Sequence, residues 1–148
     1  MSNQTQDVTK IADTIKVLQG GIDFYQKAIG EVDSSNVQHM FRRMIKGKEE
    51  AIESLQPFAI KEQGERETDS DWMVSTRKIY TQLIGKMSSD EDHTYIKQLE
   101  EVEDRVLEVL DEALKHDQPE SCLIALRTIR AKAQQMHDEM KALQEATA

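Results

Sequence analysis

The sequence predicts an all-helical chain, four long amphipathic helices packed as a bundle. Three observations predict it. Apolar residues recur at steps of three and four over four separate stretches, the spacing of one buried stripe on a helix. The 148 residues hold only two prolines and six glycines, so little interrupts those runs. No stretch alternates apolar and polar residues as a half-buried strand does.

The first helix is expected from about Thr9 to Val32. Ile11, Ile15, Leu18, Ile22, Tyr25 and Ile29 form its seam without a miss. "EVDSSN" then stops it, and Ser34 or Ser35 can cap the next helix. That second helix is expected from Asn36 to Gln63, with Val37, Phe41, Met44, Ala51, Leu55 and Phe58 on its inner face. Pro57 lies inside it and predicts a kink or an early end. The third long helix should cover Asp90 to His116, after a cap at Ser88 or Ser89. The fourth starts near "DQPES", where Asp117 can cap and Pro119 suits a first turn. Cys122, Leu126, Ile129, Ala133, Met136 and Met140 mark its stripe.

The connections constrain topology. Helices one and two are joined by a few residues, as are three and four, so each pair should be an antiparallel hairpin. Residues 64–89 separate the pairs. They include "WMVSTRKIYTQLIGKM", where Trp72, Thr76, Ile79, Leu83 and Met87 predict a shorter amphipathic helix anchored by Trp72. A helix of ~26 residues is about 39 Å long. A short helix with extended flanks can travel that distance. Helices two and three then run parallel, and two hairpins joined by one long crossover are the ferritin-like four-helix arrangement.

One domain spans residues 1–148, with 1–8 expected to be disordered. The net charge of −9 argues against nucleic acid or an anionic membrane as partner. No apolar run approaches the roughly 20 residues of a membrane span. "MSNQTQDVTK" lacks the apolar core of a secretion signal, which points to the cytoplasm. The single cysteine, Cys122, excludes an internal disulfide and a cysteine-based zinc site, and is expected to be inert packing. No nucleophile elbow, phosphate loop, dinucleotide fingerprint or HExxH occurs, so catalysis has no motif behind it.

Each seam is interrupted near its midpoint: Gly20 and Gly21, Gly47 and Lys48, Glu103, then Ala133 and Gln134 with His137 one turn on. If the helices align, these fall in one layer. Glu103 occupies a seam position within "YIKQLEEVEDRVLEVLDEAL", where an aliphatic residue belongs. Three readings are open. In one, Glu103 and His137 project inward with Asp23 or Glu50 and bind iron or manganese, as facing carboxylates and imidazoles do in bundles. In another, Lys48 reaches Glu103 across the core and no metal is needed. In the third, the seam drifts, Val102, Val106 and Val109 face inward, and Glu103 sits at the edge. The first two exclude each other in part, because an ammonium repels a nearby metal ion. His137 flanks the seam and can equally be hydrogen-bonded packing. Asp138 beside it can support the imidazole or simply be solvated.

The stretches "LQGGIDFYQKAIGEV", "MFRRMIKGKEEAIESL", "LEEVEDRVLEVLDEAL" and "AKAQQMHDEMKAL" resemble small bacterial ferritin-like bundle proteins catalogued as a domain of unknown function. The likeness spans about Ile11 to Leu143. It implies a ferritin-like fold, a homo-oligomer, and a history of carboxylate-bound iron. Ferritin-like di-iron proteins carry a carboxylate on one helix of each pair and Glu-x-x-His on the other. By that resemblance Glu103 is the lone carboxylate of the second pair and His137 its histidine. Gln134 stands where a glutamate is expected, Gly47 and Glu50 stand at the matching spacing in helix two, and Asp23 is an approximate match in helix one. Two functions remain open at this point: a stress-associated metal-binding bundle, and a non-catalytic bundle for assembly or partner binding with a polar, metal-free middle layer.

Overall fold

A computed structural model describes residues 8–70 and 91–147. Within them the chain is four helices and no strand: α1 (Ile11–Ile29), α2 (Ser35–Gln63), α3 (Glu91–Leu114) and α4 (Glu120–Thr147). The short amphipathic helix expected at Trp72–Met87 lies outside the described residues, as do residues 1–7. Val8 is already packed in the core.

The ends follow local chemistry. Ser34 has extended backbone and its hydroxyl accepts from the Val37 amide at 3.3 Å, an N-cap of the expected kind. Gly64 closes α2 in the left-handed region (φ 89°), donating its amide to the Ile60 carbonyl at 2.8 Å. A side chain there would be strained. Pro57 neither ends α2 nor stops it short. The helix continues to Gln63, because Leu55 and Ala59 on either side are fully buried and hold it against the core. The start of α1 is capped from a distance: Glu62, in the last turn of α2, accepts from the amides of Ala12 at 2.8 Å and Lys10 at 3.1 Å. A carboxylate there also meets the positive end of the helix dipole.

Each helix packs on two others: α1 on α2 and α3, and α4 on α3 and α2. Thus α2 and α3 sit on one diagonal, α1 and α4 on the other. The core divides into two apolar clusters along the bundle. One joins Ile15 and Leu18 of α1 to Leu55 of α2, Leu110 of α3 and Leu126 of α4. The other joins Tyr25 of α1 to Phe41 of α2, Ile96 of α3 and Met140 of α4. The N-terminal halves of α2 and α3 therefore share one end, and these diagonal helices point the same way. Gln118 locks the opposite end. Its side chain accepts from the Thr9 amide at 2.9 Å and donates to the carbonyls of Thr9 at 2.6 Å and Ala113 at 2.9 Å. It ties the start of α1 to the α3–α4 turn.

Candidate functional site

Between the two apolar clusters lies a polar layer. α1 contributes Gly21 and Tyr25, α2 contributes Lys48, and α3 contributes Glu103. Lys48 and Glu103 are both fully buried, and the Lys48 ammonium sits 2.5 Å from Glu103 Oε2. The same oxygen accepts from the Tyr25 hydroxyl, also at 2.5 Å. Glu103 therefore faces the bundle interior as its seam position requires, between Leu99 and Val106, each fully buried. Val102 is buried as well, so the seam is broad enough to hold the glutamate and its valine neighbours together.

Each helix supplies what the layer needs. A buried carboxylate and a buried ammonium are each costly alone, by several kcal/mol, and survive inside only when paired and hydrogen-bonded. Lys48 lies on the diagonal from Glu103, so its long stem must cross the centre. Gly21 makes the room: a Cβ built there would stand 3.2 Å from Lys48 Cε and 3.4 Å from Val102 Cγ1. Tyr25 donates to Glu103 and also presents its ring to the ammonium, 4.9 Å from the centroid. Phe41 fixes that ring by edge-on contact at 5.4 Å. Burial pushes the Tyr25 phenol well above its ordinary value, and the Glu103 charge and hydrogen bond push the same way. Glu103 Oε1 is buried and has no donor among the described residues.

The other residues expected to hold a metal lie elsewhere. His137 faces α3 from the outside of the α3–α4 seam: its Nε2 is 2.6 Å from Asp104 Oδ1 and its Nδ1 is 3.3 Å from Asp138 Oδ1. Asp138 does support the imidazole, and hydrogen bonds from Gln134 and His137 hold its carboxyl below the usual range. The same side chains continue a surface ladder, since Arg130 donates to Gln134 at 2.7 Å and to Asp111 at 2.9 Å. Asp23 accepts from Gln19 on its own helix at 3.2 Å. Glu50 is exposed on the rim of a cleft between α2 and α4. Glu103, His137, Asp23 and Glu50 thus occupy four separate surroundings. Among the described residues no three His, Cys, Asp or Glu side chains converge on a point that could hold a metal ion.

Two functional features were not apparent from sequence. Tyr25 reads as an ordinary seam residue, though a tyrosine one turn from a double glycine is a usable signal for a polar partner. The α2–α4 cleft has no signature in either helix alone. Cys122 is buried, and burial lifts its thiol to about 11, helped by the Glu62 charge. That is an unreactive thiol, in line with packing. Among the described residues no helix is long and apolar enough to cross a membrane.

No curated protein and no solved structure matches the chain. The model of one family matches residues 6–116, three of the four helices and the connection between the hairpins. The chain belongs to the family described as Domain of unknown function (DUF2383).

Proposed function

We propose that this protein is a ferritin-like bundle with a metal-free middle layer, non-catalytic, and acting through its outer surface in assembly. One observation carries the reading. The carboxylate that would serve a metal, Glu103, is engaged by the Lys48 ammonium inside the bundle. A cation brought to that oxygen would have to displace an ammonium ion that has no solvent to enter, and like charges repel strongly at low dielectric. The layer then works as an internal strut. It joins the diagonal helices through charge and fixes their relative height, a register role attested for buried polar groups elsewhere. The ferritin-like connection is supported by the shared direction of α2 and α3, the relation expected of two hairpins joined by one long crossover.

Metal analysis of the untagged full chain tests the reading. The expected result is a folded protein without stoichiometric iron or manganese that takes up no ferrous iron on anaerobic loading. Stoichiometric metal that disappears in Glu103→Ala would overturn it.

A further inference from the structure

We infer that the face formed by α2 and α4 is the contact surface between two copies of this chain, related by a two-fold axis. The inference deepens the assembly reading and rests on it.

The α2–α4 seam is tight at one end and open beyond. At the tight end Arg43 pairs with Glu139 at 2.8 Å, and Met136 Sδ lies against Gly47. Beyond them the seam opens into a cleft of about 180 Å³, with Leu18, Val106 and Ile129 as its floor. Its rims carry small uncharged residues, Ser54 on α2 and Ala125 and Thr128 on α4. Such rims let another helix approach closely. Ile124, one turn before Thr128 on α4, is 55% exposed, one of two large apolar side chains the described residues leave in water. A cleft and an apolar knob thus lie on one face, which is what a self-complementary surface requires.

Charge selects the occupant. On the rims of this cleft Glu50 stands exposed on α2 and Lys132 stands exposed on α4. Neither has an ion-pair partner among the described residues. A two-fold axis lying in the plane of the face, parallel to its helices, lays α2 over the partner's α4. It so sets Glu50 opposite the partner's Lys132, and Lys132 opposite the partner's Glu50, since both residues border the same cleft. The chain's own segment after α2 leaves on the other side. Glu67 is held there by Gln56 at 2.8 and 2.9 Å and by Lys16 of α1 at 3.8 Å. Area is adequate too. Two helices about 40 Å long and about 10 Å wide present roughly 800 Å², what one partner in a stable interface buries.

Sedimentation of the untagged full chain tests the inference, together with carbodiimide cross-linking of mixed isotope-labelled and unlabelled chains. The expected result is a dimer in the micromolar range, with Glu50–Lys132 cross-links that join labelled to unlabelled chain. Glu50→Lys and Lys132→Glu should each weaken the dimer by about tenfold or more. The double reversal Glu50→Lys/Lys132→Glu should restore it. Ile124→Asp, at an exposed site, should weaken the dimer and leave the helical signal unchanged. A monomer throughout that range, a dimer indifferent to these reversals, or Glu50–Lys132 cross-links confined within one chain would overturn the inference. A monomer that stays folded and free of metal would leave the middle layer as proposed above, whereas a dimer that loads iron at Glu103 would overturn that layer alone.

Discussion

Gly21 and Lys48 are shaped to each other: the missing side chain of one is the channel for the stem of the other. A Cβ at position 21 would stand 3.2 Å from Lys48 Cε. The lysine cannot yield, because its ammonium is fixed on Glu103 and beneath the Tyr25 ring. Gly21→Ala should therefore destabilise by about 1–3 kcal/mol, the ordinary cost of overpacking a core. This outweighs the ~1 kcal/mol that alanine gains over glycine in a helix. The sign should reverse in a Lys48→Ala background, where the channel is empty. Gly47 supplies a contrast. A Cβ built there would stand 3.0 Å from Met136 Sδ, on a half-buried and flexible side chain that can swing aside. Gly47→Ala should be neutral or stabilising by up to about 1 kcal/mol. Urea denaturation of the four variants checks the pattern.

The ion pair itself predicts a non-additive cycle. Lys48→Met or Glu103→Leu alone strands one charge in the core and should cost about 3–5 kcal/mol. The double variant removes both charges and should recover most of that loss, since an apolar pair of similar volume is often neutral or better. Equal costs for the double and the sum of the singles would show that the two residues do not interact.

Tyr25 makes stability fall at high pH. Its phenol is held protonated in the folded state, so its folded value lies above the unfolded one near 10. A group of this kind contributes its full stability below the unfolded value and loses it as pH rises toward the folded one. Alkaline unfolding should therefore begin above about pH 10 and coincide with the appearance of phenolate absorbance from this residue. Tyr25→Phe should remove that phenolate component. It should also cost about 1–3 kcal/mol at neutral pH, because Glu103 loses a buried donor.

How far the sequence discloses this arrangement depends on the range of the interactions. The four seams are local, repeating every three or four residues, and they predict helices that the structure has to within a few residues. Glu103 is legible through its conflict with such a seam. An acid at an aliphatic position must have a partner, and Lys48 is the basic residue interrupting the matching level of α2. Which of the three readings holds is not legible, since the choice turns on whether a lysine stem can cross a diagonal. That in turn depends on a glycine of a third helix. Pro57 misleads because propensity is a local cost and burial of Leu55 and Ala59 is a tertiary gain. The cleft is invisible for the same reason: small residues on α2 mean little until those on α4 face them.

Gln118 is the extreme of long range, and it carries the last prediction. Its amide exchanges hydrogen bonds with the backbone of Thr9, 109 residues away, and it is almost fully buried. No local pattern marks it; "HDQPES" reads as a capped turn with Asp117 as the important residue. In the structure Gln118 satisfies two backbone groups of Thr9 and the Ala113 carbonyl at the end of α3. Removing it takes the side-chain partner from the part-buried amide and carbonyl of Thr9, and one of two donors from the Ala113 carbonyl, which keeps the His116 amide at 3.3 Å. A buried group left unpaired costs about 1–3 kcal/mol if water does not reach it. The site is at one end of the bundle, so water can enter by local opening. Gln118→Ala should then cost about 2–3 kcal/mol in global stability. It should also speed amide exchange at the first turn of α1, with little change at Lys48 or Glu103 in the middle of the bundle. Asp117→Ala, lacking such contacts, should cost less than about 1 kcal/mol. Site-resolved hydrogen exchange on the two variants distinguishes a clamp at Gln118 from an ordinary capped turn. Unchanged exchange at Ala12 and Asp13 in Gln118→Ala would show that α1 holds its start without it.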